Sequence, residues 1–111
     1  MIKTINELKN KRITGIQRIC DYWQIITDEC KVSIYNPVKY CMQSSGSIEL
    51  RNIRIKDIIE HTIIDVIYKE FDYLKIELEN KNTILISLLE KDYLGPEAAC
   101  IHFCTGQLLV I

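Results

Sequence analysis

Apolar and polar residues alternate along the segment YLKIELEN, residues 73–80. Leu74, Ile76 and Leu78 fall on one side of an extended chain, and the polar residues between them fall on the other. This period of two is typical of a strand with one buried face. The following ENKN is turn-forming, and TILISLL after it is a second, more apolar segment, so the pattern predicts a β-hairpin.

A related pattern occurs in the first part of the chain, where WQIITD, DEC and KVSIY form a strand, a turn and a strand. The two segments can be aligned by adding 51 to the residue numbers of the first, or 52 for residues beyond the turn between its last two strands. In this alignment the apolar residues and the Asp-Tyr pairs coincide. The matches are Ile13 with Ile64, Ile16 with Ile67, Asp21 with Asp72, Tyr22 with Tyr73, Trp23 with Leu74, Ile25 with Ile76, Val32 with Ile84 and Ile34 with Ile86. We interpret residues 12–35 and 62–89 as an internal repeat. Its predicted strands are 12–19, 22–28 and 31–35 in one copy, and 62–69, 73–79 and 83–89 in the other.

The remaining segments connect and complete these two units. VKYCMQ and SIELRN flank SSGS and suggest a further hairpin or a wide loop. Residues 54–61 have isoleucines at helical spacing, which predicts a short helix. Residues 4–10 predict a helical turn, capped by Thr4 with Glu7 three residues on. Strands are expected at 99–104 and 107–111. We therefore predict one all-β domain over residues 1–111, with one or two short helices. Its two similar antiparallel meanders would form a β-sandwich or a half-closed barrel.

Charge is distributed unevenly along the chain, although the net charge is only −1. Residues 1–56 carry +5 and residues 57–111 carry −6. An acidic surface in the second half would attract a basic partner. The chain begins without an apolar leader and contains no apolar run of about 20 residues, so a cytoplasmic protein without a membrane partner is expected. Five irregularly spaced cysteines fit a reducing compartment better than a disulfide framework.

The segment CIHFC, residues 100–104, is the place where metal or nucleophilic chemistry has to be considered. On a strand, Cys100, His102 and Cys104 share one face, but residues four apart are separated by about 13 Å. Three such side chains cannot reach one zinc ion, which requires ligands within about 2.3 Å. No phosphate-binding loop, nucleophile elbow or metalloprotease motif is present. We therefore expect no cofactor, no metal site and no enzymatic activity.

Several features together resemble a family of small all-β bacterial proteins encoded beside polymorphic toxins. They are Ile13-Thr14-Gly15-Ile16, the strand YLKIELEN, Pro96-Glu97-Ala98 and the terminal Gly106-Gln107-Leu108-Leu109-Val110. The resemblance implies an immunity protein of the contact-dependent growth inhibition type. Such a protein would bind a cognate toxin domain one-to-one and cover its active site.

An acidic surface suits this role, because nuclease toxins bind nucleic acid and are therefore basic. Tyrosines among carboxylates are a favourable composition for a binding surface. The partner-binding residues we expect are Tyr73, Glu77, Glu79, Glu90, Asp92, Tyr93 and Glu97. Two other interpretations remain. The basic clusters 9–12 and 51–56 would suit a module that binds RNA or a small ligand. The apolar tail GQLLVI would suit a homodimeric structural protein.

Overall fold

The protein consists of two antiparallel five-stranded sheets, seen in a computed structural model that describes residues 5–43 and 46–111. The first sheet contains, in spatial order, β1 (Ile13–Ile19), β2 (Tyr22–Thr27), β3 (Cys30–Ile34), β9 (Ala99–Phe103) and β10 (Leu108–Val110). The second contains β5 (Gly46–Glu49), β4 (Val38–Met42), β8 (Thr83–Ser87), β7 (Tyr73–Leu78) and β6 (Ile63–Lys69). The all-β prediction is confirmed. Because the two sheets remain separate, the architecture is that of a sandwich and not of a half-closed barrel.

The short helix predicted at 54–61 is wrong. Leu50–Asn52 and Ile55–Asp57 form single 3-10 turns instead. Glu60 has a left-handed backbone, with φ of 75°, which a continuous helix excludes. The Glu60 amide donates a hydrogen bond to the Ile13 carbonyl at 2.8 Å, which connects residues 54–61 to the first strand. Near the N-terminus, Asn6–Leu8 form another 3-10 turn, and the proposed Thr4 cap lies outside the described residues.

The core lies between the sheets and is built from the alternating apolar positions. In β7, Leu74, Ile76 and Leu78 are buried while the residues between them are half-exposed. Cross-strand pairs continue the apolar layer, as where Ile76 lies opposite Ile84. In the first sheet Ile25 lies opposite Val32 in the same way. Each fully buried aliphatic side chain contributes about 1.5–3 kcal/mol relative to exposure.

The registers of the two meanders correspond closely. Ile25 pairs with Val32 in the first meander, and Ile76 pairs with Ile84 in the second. Ile25 therefore corresponds to Ile76 and Val32 to Ile84, as the offsets of 51 and 52 in the sequence predict. On the first strand the offset is 50, because Ile16 lies opposite Ile25 and Val66 lies opposite Ile76. Ile13 therefore corresponds to Ile63, and Ile16 to Val66, one residue earlier than the sequence alignment placed them. The extra residue lies in the β6–β7 turn, and Ile64 is accordingly 49% exposed.

The correspondence extends over five strands in each half. The hairpin β4–β5 follows the first meander in sequence but pairs with β8 of the second, with Val38 opposite Ile86. The hairpin β9–β10 follows the second meander but pairs with β3 of the first, with Ala99 opposite Ile34. Each half thus adds its hairpin to the meander of the other half. We call this arrangement the hairpin exchange.

The two halves meet at an antiparallel bridge between Arg12 and Thr62. The hydrogen bonds around it are reciprocal. The Asn10 amide donates to the Ile63 carbonyl at 2.7 Å, as Glu60 does to Ile13 at 2.8 Å. Asn10 and Glu60 both have left-handed backbones, with φ of 69° and 75°. The fold therefore has an approximate two-fold axis passing near this bridge.

None of the helices in residues 5–43 and 46–111 has the length and apolar character needed to span a bilayer.

Candidate functional site

The Asp-Tyr pair that the sequence repeats lies at the same turn in both halves. Asp21-Tyr22 begins β2 and Asp72-Tyr73 begins β7. Each pair follows a residue with a left-handed backbone, Cys20 with φ of 54° or Phe71 with φ of 64°. This places the carboxylate and the ring beside each other at one end of each sheet.

In the first half, the Asp-Tyr pair borders a surface cavity of about 360 Å³, which we call the Tyr22–Tyr35 pocket. The rings of Tyr22 and Tyr35 have their centroids 5.2 Å apart and are inclined by 53°. Leu94, Pro96 and Glu97 come to the pocket from the β8–β9 connection. Leu94 is 80% exposed, so an apolar side chain stands in solvent at the rim.

Among the described residues, the charged side chains that line this pocket are all acidic. Its acidic groups are Asp21 and Glu97. Among the ion pairs that residues 5–43 and 46–111 form, none includes either of them. Burial raises the pKa of Tyr35, and the charges of Cys100 and Glu97 act in the same direction. The pocket therefore presents two carboxylates beside a neutral phenol.

A second depression of about 200 Å³ adjoins the pocket and shares Asp21, Tyr35 and Leu94 with it. Arg18 and Trp23 line its far side, with the guanidinium carbon 5.4 Å from the ring centroid. The Arg18 Nε also donates to the Cys20 carbonyl at 3.3 Å. The Arg18 guanidinium, which borders this adjoining depression, thus already interacts with the Trp23 ring and the Cys20 carbonyl.

Asn36 borders the adjoining depression and is only 3% exposed. Its Nδ2 donates to the Ser87 carbonyl at 2.8 Å. Its Oδ1 is buried and has no hydrogen-bond partner among the described residues. Buried acceptors are normally paired, so this oxygen is an exception within the core edge of the depression.

The second half has an equivalent cavity of about 230 Å³, the Tyr73 pocket, bordered by Asp72, Tyr73 and Ser87. Ser87 occupies the place of Tyr35: its amide donates to Pro37 at 3.0 Å, as that of Tyr35 does to Ala98 at 2.9 Å. Ser87 Oγ in turn donates to Asp92.

Lysines of the protein itself interact with this second Asp-Tyr pair. The Lys69 Nζ lies 3.3 Å from Asp72 Oδ2 and 5.9 Å from the Tyr73 centroid. The Lys75 Nζ lies 5.5 Å from the same centroid. The second pocket is therefore neutralised within the chain.

The partner-binding residues expected from the sequence are divided among the two pockets and other parts of the surface. Tyr73 and Asp92 border the Tyr73 pocket, and Glu90 lies with Asp92 in the 3-10 turn Glu90–Asp92. Glu77 follows along β7, 3.7 Å from the Lys75 ammonium. The other three, Glu79, Tyr93 and Glu97, have different surroundings.

Glu79 lies beyond β7, where it accepts from the Thr62 amide at 3.2 Å and lies 3.6 Å from His61 Nδ1. Tyr93 is half-buried against the core. Glu97 lies in the Tyr22–Tyr35 pocket, because the β8–β9 connection crosses from the second sheet to the first. The predicted residues therefore do not form one continuous acidic face.

Three further residues of this site were not among those predicted: Tyr22, Tyr35 and Leu94. Asp21 was noted in the sequence only as part of the repeated Asp-Tyr pair. Within the described residues its carboxylate accepts no hydrogen bond from the backbone, and neither does that of Asp72. The repeated Asp-Tyr pair was the sequence signal that pointed to this end of the two sheets.

The thiol of Cys100 and the ring of His102 lie on one face of β9, with Sγ 3.7 Å from Nε2. Burial raises the pKa of Cys100, and Glu97 raises it further. A raised pKa keeps the thiol protonated and unreactive near neutral pH. Cys104 points toward Glu29, with Sγ 3.9 Å from Oε2. In the described ranges no three His, Cys, Asp or Glu side chains are arranged to hold a metal ion.

The cysteines are expected to react in two classes. Cys20 and Cys104 are exposed, whereas Cys30 and Cys100 are buried, with their pKa values raised by burial. With iodoacetamide at pH 8, we expect peptide mass spectrometry to find the exposed pair alkylated at least ten times faster, because the thiolate is the reacting form. Labelling in denaturant, where all thiols should react alike, is the control. Equal or faster reaction of Cys100 would instead indicate an activated Cys–His pair.

The chain matches no protein-family model, no curated protein and no solved structure.

Proposed function

We propose that the protein is a cytoplasmic immunity protein that binds a basic toxin domain, such as a nuclease, and blocks its active site. The observation that carries the proposal is the Tyr22–Tyr35 pocket. It combines two carboxylates without an internal counterion, two tyrosines and the exposed Leu94 in one concave surface.

This composition supports protein binding more than turnover. Tyrosines are enriched at the centre of protein interfaces, where a few residues dominate the affinity. Carboxylates without a counterion attract a basic surface and accelerate its association. A surface that binds nucleic acid is basic, so a nuclease domain is complementary to this end of the sandwich.

The adjoining depression enlarges the surface available to a partner. Trp23, with Arg18 over its ring, continues the aromatic lining beyond Tyr35. Trp, Tyr and Arg are the residues most enriched among those that dominate binding energies. Together the two cavities offer a centre for an interface of the usual size, about 800 Å² per partner.

The test is affinity capture with the tagged 111-residue chain from a lysate of its source organism, followed by a protection assay. We expect one basic protein domain, recovered near one-to-one, whose toxicity in a co-expressing host is suppressed by this chain. Recovery of nucleic acid alone, released as salt rises, would contradict the proposal and favour the RNA-binding interpretation. Recovery of the chain itself alone would favour the homodimer.

Charge reversal then locates the interface. We expect Glu97→Lys to weaken binding at least tenfold, because it places a cation in the pocket where the basic partner docks. Glu70→Lys, on an exposed turn, is the matched control and should change affinity less than twofold. Combined reversal at Glu77, Glu79, Glu90 and Asp92 tests the surface of the second half. If none of these variants affects protection, the electrostatic basis of the proposal is wrong.

A further inference from the structure

We propose that the Tyr22–Tyr35 pocket is the acceptor site for one lysine side chain of the partner. The inference rests on the proposed function and adds the chemistry of the central contact. It comes from comparing the two halves of the molecule, since the same Asp-Tyr pair occurs twice in equivalent surroundings.

The second half shows what such a pair binds. Lys69 approaches both groups at once, with its ammonium 3.3 Å from Asp72 and 5.9 Å from the Tyr73 ring centroid. Lys75 brings a second ammonium to 5.5 Å from that ring. A carboxylate and an aromatic face together stabilise a cation, and the gain is larger where water is partly excluded.

In the first half, the residues at the corresponding positions carry no charge. Ile19 lies opposite Tyr22 as Lys69 lies opposite Tyr73. Gln24 follows Tyr22 by two residues, as Lys75 follows Tyr73, and it hydrogen-bonds Gln17 at 2.9 Å. The Asp-Tyr pair of the first half therefore lacks the ammonium groups that its counterpart has.

The pocket of the first half is also better equipped for a cation than its counterpart. Tyr35 replaces Ser87 and supplies a second ring, and Glu97 is a carboxylate that forms none of the ion pairs among the described residues. Asp21 supplies the other carboxylate of this pocket. An ammonium group carries three donors and no acceptor, which suits a groove lined by these oxygens.

The occupant is a lysine rather than an arginine because the internal counterpart is an ammonium. A lysine also has a four-carbon apolar stem, which can lie against Leu94 and Pro96 while its charge reaches the carboxylates. A basic protein surface supplies such a side chain.

A titration with small probes tests the inference on the intact chain without any partner. The probe is Nα-acetyl-lysine methylamide, followed by NMR of the ¹⁵N-labelled protein. We expect saturable shifts at Tyr22, Tyr35 and Glu97, with millimolar affinity. The norleucine analogue, which lacks the charge, should bind at least ten times more weakly. The arginine analogue tests whether the pocket prefers an ammonium or a guanidinium group. If it binds more tightly than the lysine probe, the lysine assignment is wrong.

Two variants sharpen the result. Ile19→Lys introduces an ammonium at the position equivalent to Lys69 and should reduce probe affinity at least tenfold, whereas Ile19→Leu should not. Glu97→Gln, which preserves shape, should reduce it at least threefold. Amide dispersion in each spectrum verifies folding. Absence of saturable shifts, or unchanged binding by both Ile19→Lys and Glu97→Gln, would refute the site.

The outcome is independent of the test of the proposed function. If no toxin is captured but the lysine probe binds this pocket, the immunity function is wrong and the site stands. If a toxin is captured and neutralised while the probe does not bind, the site is wrong and the function stands.

Discussion

Fragments 1–53 and 54–111, produced separately, are expected not to fold as monomers, whereas an equimolar mixture should recover the strand signal of the intact chain. In each fragment the meander would lose the hairpin that completes its sheet and the sheet that covers its apolar face. A fragment of about 55 residues buries too small a fraction of its surface to be more than marginally stable, and here the apolar face of its meander would also be left in water. Far-UV circular dichroism with native mass spectrometry of each fragment and of the mixture measures this.

The same exchange predicts what a fragment does at high concentration. Because the two halves are equivalent by register, two copies of one fragment can exchange hairpins as the halves do in the intact chain. A folded homodimer is therefore compatible with the structure, and a folded monomer is not. The control is the 111-residue chain with a short Gly–Ser insertion after Ile53, which should keep the strand signal and the oligomeric state of the unmodified chain because longer surface loops cost little. A stable monomeric fragment would show that the hairpin exchange is not required for folding.

Truncation of the central isoleucines should be similarly severe in both halves. Ile25 and Ile76 occupy equivalent inward positions, each 1% exposed. We expect Ile25→Ala and Ile76→Ala each to lower the free energy of unfolding by about 2–5 kcal/mol, through lost transfer energy and the cavity left behind. Urea denaturation monitored by Trp23 fluorescence measures the loss.

Ile64→Ala is the matched control for these truncations. Its side chain is 49% exposed, so the free energy of unfolding should change by less than about 0.5 kcal/mol. A loss comparable to that of Ile76→Ala would mean that Ile64 faces the core. In that case the offset of 51 would hold along β6, and the register described for the β6–β7 hairpin would be wrong.

Strand positions could be predicted from the sequence because alternation is a local property. The pairs Leu74–Ile76 and Ile84–Ile86 have a period of two that only a half-buried strand satisfies. The offset along the first strand was harder to place, because Ile63 and Ile64 are both isoleucines. Only pairing with β7 distinguishes them: Ile63 lies opposite Leu78, and the ladder shifts between Ile63 and Asp65.

The site was less predictable because it depends on long-range pairing. Tyr35 and Glu97 are far apart in sequence and meet only because β9 pairs with β3. The second half was preferred on net charge, which does not reveal that Lys69 and Lys75 already interact with its Asp-Tyr pair. The helix predicted at 54–61 failed for a related reason, since the chain there must turn to reach the Arg12–Thr62 bridge.

The approximate two-fold axis has a consequence for stoichiometry. A true homodimer of this architecture would display two identical pockets and take up two ligands with equal intrinsic affinity. In this chain the two pockets carry different side chains, and the Tyr73 pocket contains its own counterions. The proposed site in the other pocket therefore predicts that the chain takes up one equivalent of partner, with a hyperbolic isotherm and no cooperativity between sites.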